Sequence, residues 1–186
     1  MRIVKSTKRI ERRKKRWSRT EIIVNAITDR SGLGIDSEIK ESVTTLLALG
    51  FITKRSCQGH LNRGNAAPWI NIGQRVPREL LIKKRELKDR LKEKDAEKIT
   101  AITKKNLRNQ IRLMKILYEF YGKREVSYDV RLVLNRFGAY GYAALESTGE
   151  RFQGMRSKEQ KEKKLKQYQR EMKEFTDFLK KKYFTI

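Results

Sequence analysis

The segment with the most chemical character is S-C-Q-G-H, residues 56–60, which holds the chain's one cysteine and one histidine. A thiol and an imidazole at this spacing can act as a nucleophile and its base. Cys57 lies where a predicted strand ends, and loops at strand ends are exposed yet held by a rigid frame. The candidate catalytic residues are therefore Cys57 and His60, and the candidate pocket residues are Ser56, Gly59, Gly64 and Trp69.

Three interpretations of Cys57 and His60 are open. They can be a nucleophile and base, or two of several metal ligands completed by carboxylates or by a second copy of the chain. They can also be structural, with Cys57 as a small buried hydrophobe and His60 in a loop hydrogen-bond network. The structural interpretation is favoured, because C-x-x-H is common by chance and the sequence identifies no third member. The sequence assigns no cofactor and no metal.

The charge of the chain indicates a polyanionic partner. The 186 residues include 46 Lys and Arg against 22 Asp and Glu, a formal net charge of +24. Residues 1–19 hold ten cations and the single acid Glu11. Since no apolar period runs through them, they are predicted to be a flexible arm, or a helix formed only on binding. The alternatives to phosphate contact are a solubilising tail and a sorting signal. The candidate nucleic-acid-binding residues are Arg9, Arg12, Arg13, Lys14, Lys15, Arg16 and Arg19.

Composition also excludes several classes of protein. No apolar run reaches the roughly 18 residues of a transmembrane helix, and no apolar stretch of a signal peptide follows the basic start. One cysteine cannot form an internal disulfide, and one histidine with one cysteine excludes a zinc site built only from these types within one chain. We therefore expect a cytoplasmic protein without a membrane partner.

The elements that must position the candidate pocket lie on both sides of it. Thr20 is predicted to cap a short apolar helix that ends near residue 27, and S-G-L-G at 31–34 is predicted to be a turn between helices. Asp36 or Ser37 is predicted to cap the next helix, which ends at Gly50. Strands are expected at about 51–56 and 68–73.

A long helical stretch is predicted at about 78–122. Between residues 83 and 98, 13 of 16 residues are charged, which indicates a solvated helix. Further along, apolar residues step by four and three and predict a packing seam. This first seam comprises Leu107, Ile111, Met114, Tyr118 and Tyr121.

The C-terminal part is predicted to be a hairpin followed by a helix. Alternation predicts strands at about 128–135 and 139–146 with a turn at 135–138. A helix at about 157–183 carries a second seam, formed by Leu165, Tyr168, Met172, Phe175 and Leu179. The fold class is thus α+β, a small, mainly antiparallel sheet of about four strands covered by long helices, in a single domain of residues 20–186. Homo-oligomer formation through the helical seams is a further expectation.

Tyr140 and Tyr142 raise the question of a base-stacking platform. Exposed aromatics on strands stack on RNA bases, but the residue order here does not match the consensus of that module. Packing of both tyrosines under a helix is therefore favoured.

Two resemblances accompany these motifs. The combination of S-C-x-G-H, a glycine and P-W with the later strand and C-terminal helix resembles a family of small bacterial proteins, over residues 30–184. That family brings no established activity. Ser56, Cys57 and Gly59 also resemble the S-S-C-S-G-R motif of wybutosine-type tRNA-modification methyltransferases, which implies tRNA and a methyl donor. Arg55 and His60 depart from that motif, so no catalytic role is carried over.

The function expected from the sequence is nucleic-acid binding, with RNA slightly favoured over DNA, mainly through phosphate contacts. The first alternative is an enzyme that acts on nucleic acid or a small ligand at Cys57 and His60. The second is a structural or partner-binding protein that uses its helical seams.

Overall fold

The described part of the chain combines long helices with a four-stranded antiparallel sheet, which confirms the predicted α+β class. The computed structural model describes residues 2–29, 31–80, 93–138 and 140–185. A 3-10 helix at Thr148–Met155 precedes the last helix. The elements in chain order are α1 (Arg2–Ala26), α2 (Ser37–Ala48), β1 (Thr53–Cys57), β2 (Trp69–Ile72), α3 (Glu93–Tyr121), β3 (Leu132–Gly138), β4 (Tyr142–Ser147) and α4 (Lys158–Thr185).

The sheet has the strand order β1-β2-β4-β3, and every neighbouring pair is antiparallel. Ile70 pairs with Leu145 and Ile72 with Ala143, so these residues share one face. Cys57 pairs with Trp69 and therefore lies on the opposite face. Three helices cover the first face, where buried residues of the sheet meet side chains of α2, α3 and α4.

Helix α1 is continuous from residue 2 to residue 26, whereas the sequence predicted a flexible arm, or a helix formed only on binding, over residues 1–19. Trp17 explains the difference. Its ring is buried, with its centroid 5.8 Å from that of Tyr183 and 5.4 Å from that of Phe184 at the end of α4. Thr20 lies inside the helix, where its hydroxyl donates to the Arg16 carbonyl at 2.8 Å, and is not a cap. Packing around one aromatic residue thus joins the basic segment to the body.

The first predicted seam is wrong for four of its five residues, because α3 turns a different face inward; only Tyr121 packs against the core. Ile111 is 54% and Tyr118 81% exposed, and Leu107 and Met114 are exposed too. The buried face instead carries apolar side chains together with Asn106 and Gln110. Asn106 donates to the carbonyls of Gln74 and Tyr140 and accepts from the Gln74 N–H, all within 2.9 Å. Because Asn106 and Gln110 interrupt the apolar spacing on the buried face of α3, the exposed face carries the more regular apolar spacing.

The second predicted seam is confirmed, since all five of its residues are buried along α4. The charged stretch is described only from residue 93, and its predicted part at 83–92 lies outside the described residues. Within the described part, residues 93–98, Asp95 is buried, so that part of the stretch is not wholly solvated.

The β3–β4 hairpin lies later in the chain than predicted. Residues 135–138 belong to β3, and the turn falls before Tyr142, where Tyr140 and Gly141 have φ values of 68° and 70°. Arg136, at φ 51°, marks an irregularity in the register of β3. Positive φ at consecutive residues suits the twist of a hairpin, so the turn lies at Gly141 and not, as predicted, at Gly138. None of the described helices combines the length and apolarity needed to cross a membrane.

Candidate functional site

The loop between β1 and β2 is built on a buried glycine. Gly59 has φ +86°, and a Cβ added there would stand 2.6 Å from Leu165 Cδ1 and 2.8 Å from the Ala67 carbonyl carbon. Only glycine fits this close approach. The His60 N–H donates to the Asn65 carbonyl at 3.0 Å, which closes the loop. Gly59 thus fixes the loop that carries His60 and does not itself line the pocket.

The third member of the cluster, which sequence reasoning missed, is Asp36. It is the N-cap of α2, but its side chain makes no capping hydrogen bond to that helix. Its Oδ2 instead accepts from the Gln58 N–H at 3.1 Å and lies 3.3 Å from His60 Nε2. In exchange, Gln58 Oε1 accepts from the Glu38 N–H at the start of α2. This reciprocal exchange joins the helix to the loop and frees the Asp36 carboxylate for the cluster.

Cys57, His60 and Asp36 converge. One ligand-type atom from each lies within 4.8 Å of the other two, and all three side chains are half-buried. The Gly59 N–H points at Cys57 Sγ at 3.4 Å, and Arg63 approaches His60 Nε2 at 3.4 Å and Asp36 Oδ1 at 3.8 Å. No other such group of three His, Cys, Asp or Glu residues occurs in the described ranges.

The thiol is not activated by this environment. Burial raises the pKa of Cys57 above its usual value, and the nearby Asp36 carboxylate raises it further, while the Gly59 N–H and the Arg63 charge lower it. The net effect favours the protonated thiol at neutral pH, which is the opposite of what a nucleophilic cysteine requires. The arrangement thus gives no support to a metal-free Cys57–His60 nucleophile and base.

The cluster lies on the wall of a pocket of about 1040 Å³. The predicted pocket residues Ser56, Gly64 and Trp69 line it, as do Cys57 and His60. Residues of the connection between α1 and α2, among them Ile27, Asp29 and Leu33, line the same pocket. There Asp29 Oδ1 accepts from the N–H groups of residues 31 and 33, so the predicted S-G-L-G turn is a folded loop that forms part of the pocket.

A second concave surface, which we call the basic cleft, lies where α1 meets the end of α4. Its volume is about 390 Å³. Six cations line it, together with Ala48, Leu49 and Tyr183: Arg9, Arg12, Arg13, Arg16, Arg112 and Lys182. The other predicted nucleic-acid-binding residues, Lys14, Lys15 and Arg19, are exposed on α1 outside it.

The cations of the basic cleft are held in place mostly without acidic partners. Arg112 donates to the Leu49 carbonyl at 2.8 Å and stacks 4.5 Å above the centroid of the Phe51 ring. Arg13 lies 5.8 Å from the centroid of Tyr183, whose hydroxyl donates to the Arg13 carbonyl. Within residues 2–29, 31–80, 93–138 and 140–185, Lys182 alone of the six forms an ion pair, with Glu119.

The aromatic hairpin residues are placed as packing residues. Tyr140 contacts the buried cluster of Val76, Leu80 and Ile99, and Tyr142 is half-buried with the Arg75 guanidinium 5.7 Å from its ring centroid. In contrast to Tyr140 and Tyr142, the side chain of Phe137 is largely exposed, at the end of β3.

No protein-family model matches the chain, and no curated protein or solved structure matches it either.

Proposed function

We propose that the protein binds nucleic acid, RNA ahead of DNA, mainly through phosphate contacts centred on the basic cleft. The observation that carries this proposal is the convergence of six cations on one concave surface with a single acidic partner among the described residues. Like charges at this density repel one another, and an anion that enters the cleft relieves the repulsion.

The arrangement of the cleft suits a polyanionic strand. Arg9, Arg12, Arg13 and Arg16 follow the spacing of neighbours on one face of a helix, so their guanidinium groups form a row along α1. Arginine presents several donors in a fixed fork that matches the oxygens of a phosphate. Arg112 and Lys182 add cations from α3 and α4, so three helices supply the cleft. A row of forks can contact successive phosphates of one strand without reading its bases.

The test compares two double variants of α1 that lose the same charge. Arg9→Gln with Arg12→Gln removes two exposed arginines that line the cleft, and Lys14→Gln with Lys15→Gln removes two exposed lysines that do not. Point substitutions are preferable to deletion of residues 1–19, because that deletion would also remove the buried Trp17. Affinity is measured by fluorescence anisotropy against salt, with labelled RNA and DNA of one sequence, single-stranded and duplex.

Each lost phosphate contact should flatten the slope of log affinity against log salt by about 0.7–0.9. We expect the arginine pair to flatten the slope by about 1.5, and the lysine pair by clearly less. Absence of binding, or binding that salt does not weaken, would refute the proposed function. Equal effects of the two double variants would refute the central role of the cleft.

The pocket supports a second candidate function, an enzyme that acts on nucleic acid or a small ligand. Its volume of about 1040 Å³ and its polar wall at Cys57 and His60 suit a ligand of nucleotide size. In that case Cys57→Ser abolishes an activity while phosphate-dependent binding and the melting temperature stay unchanged. A variant with full activity would refute a role for the thiol.

A further inference from the structure

We propose that Asp36, Cys57 and His60 form a binding site for one divalent metal ion of the zinc type, with its fourth coordination position open to the pocket. The three side chains offer a carboxylate oxygen, a sulfur and an imidazole nitrogen within 4.8 Å of one another. This inference does not depend on nucleic-acid binding, because it concerns a different surface of the molecule.

The distances fit a contracted tetrahedral site. For metal–ligand distances of about 2.0–2.3 Å, tetrahedral ligands stand about 3.3–3.8 Å apart. Asp36 Oδ2 and His60 Nε2 are already 3.3 Å apart, so an ion can replace the proton that joins them. Sulfur stands about 3.5 Å from the other ligands in such a site, so Cys57 has to approach by at most about 1.3 Å, which a change of side-chain torsion supplies.

The convergence of the three groups distinguishes a metal site from a catalytic relay. In a Cys–His–Asp relay the thiol and the carboxylate occupy opposite nitrogens of the imidazole, about 7 Å apart. Here the sulfur of Cys57 and an oxygen of Asp36 lie within 4.8 Å of each other as well as of the ring. Three groups that point at a common centre are arranged as ligands are, and not as a chain of proton transfers.

Backbone groups around the cluster would support bound ligands. The Gly59 N–H points at the sulfur, and the Gln58 N–H holds the carboxylate. Such partners orient the ligands and are usual around metal ions. The nearby Arg63 cation opposes a metal ion, but its side chain is 66% exposed and can turn into solvent.

The donor set determines which ion is expected. Sulfur and imidazole nitrogen favour zinc and its chemical neighbours, whereas magnesium and calcium prefer oxygen ligands alone. An Asp carboxylate and a Cys thiolate together balance the two charges of the ion. All three residues line the pocket, so the remaining position faces the pocket and is available to water or to a bound ligand.

The test uses the full-length protein and cobalt(II) as a spectroscopic substitute for zinc. Because Cys57 is the only cysteine and His60 the only histidine, a thiolate-to-cobalt charge-transfer band can arise only from Cys57. We expect one ion per chain, a thiolate charge-transfer band with strong tetrahedral visible bands, displacement by zinc and none by magnesium. Bound cobalt without the thiolate band, or no stoichiometric binding, would overturn the proposal.

Variants assign the ligands. Zinc affinity is measured by competition with a chromophoric chelator for Cys57→Ser, His60→Asn, Asp36→Asn and the matched control Glu38→Gln. Each ligand variant should weaken binding by at least about 100-fold, beyond the 10–100-fold typical for loss of an outer partner. Glu38→Gln removes an exposed carboxylate two residues from Asp36 and should bind like the parent. Parent-like affinity in the cysteine and histidine variants refutes the site, and two chains per ion refutes the open position.

Discussion

Replacing Leu113 and Ile111 separately by alanine tests which face of α3 is buried. The two residues are two positions apart and therefore point to different sides of the helix, and the apolar spacing of the sequence favours Ile111 as the inward residue. In the structure Leu113 is fully buried among residues of the main core, whereas Ile111 is 54% exposed. The two variants end in the same side chain, so their helix propensities are equal after substitution.

The magnitudes follow from what each side chain contacts. Leu113→Ala removes three buried carbon atoms, about 2.4 kcal/mol of transfer free energy, and leaves a cavity that brings the loss of unfolding free energy to about 3–5 kcal/mol. Ile111→Ala removes atoms that are half in water already, and alanine is the better helix former. That variant should lose about 1 kcal/mol or less.

Urea unfolding monitored by circular dichroism at equilibrium measures both losses on the same scale. If the unfolding free energy depends on urea concentration with a similar slope in the parent and the two variants, the substitutions act on the folded state and not on the unfolded state. A loss for Ile111→Ala that equals or exceeds the loss for Leu113→Ala would refute the observed orientation of α3. It would restore the seam that the sequence predicted.

Three further predictions follow from single side chains. Gly59→Ala should lower the unfolding free energy by about 3 kcal/mol or more in the same urea assay, because the strain of a positive φ and the overlap of the added Cβ with its neighbours add up. Gly64→Ala should lower it by about 1 kcal/mol, because Gly64 also has a positive φ but has open space around the position of the Cβ. Hydrogen bonds from Arg124 hold the pKa of Glu174 below its usual value, so the Glu174→Gln variant should be less stable than the parent at pH 7. Thermal melts should show this difference in stability vanish as the pH falls through the lowered pKa of Glu174. Asn106→Ala leaves three backbone groups of the half-buried residues Gln74 and Tyr140 without their side-chain partner and should lower the unfolding free energy by about 3 kcal/mol. A loss below about 1 kcal/mol in urea would contradict this network.

The local sequence predicted helices well where one feature, regular apolar spacing or a capping residue, was clear. The second seam on α4 is regular and buried, and the start of α2 beside Asp36 and its end at Gly50 lie where the caps indicated. On α3 the same reasoning failed, because Asn106 and Gln110 satisfy their polar groups inside the molecule through partners far away in the chain. A period of apolar residues cannot show that a polar side chain has such partners.

The candidate site, too, was predicted from local sequence only in part. The residues Cys57, His60 and Trp69 were identifiable from their types and from their position at a strand end, and they do share one pocket. Asp36 was not identifiable as their partner, because twenty residues separate it from Cys57 and its sequence context indicates only a helix cap. It joins them because Gln58 takes over the capping of α2, an exchange between two backbone segments.

By itself the sequence determined the fold class, the large excess of positive charge and the residues able to carry chemistry, since these depend on composition and local period. Only the tertiary structure decided which groups meet. Trp17 packs the basic segment against α4, which turns a predicted arm into a helix and gathers scattered cations into one cleft. The approach of α2 to the β1–β2 loop likewise turns an isolated C-x-x-H into a three-residue cluster. Both results depend on long-range packing, which no local pattern encodes.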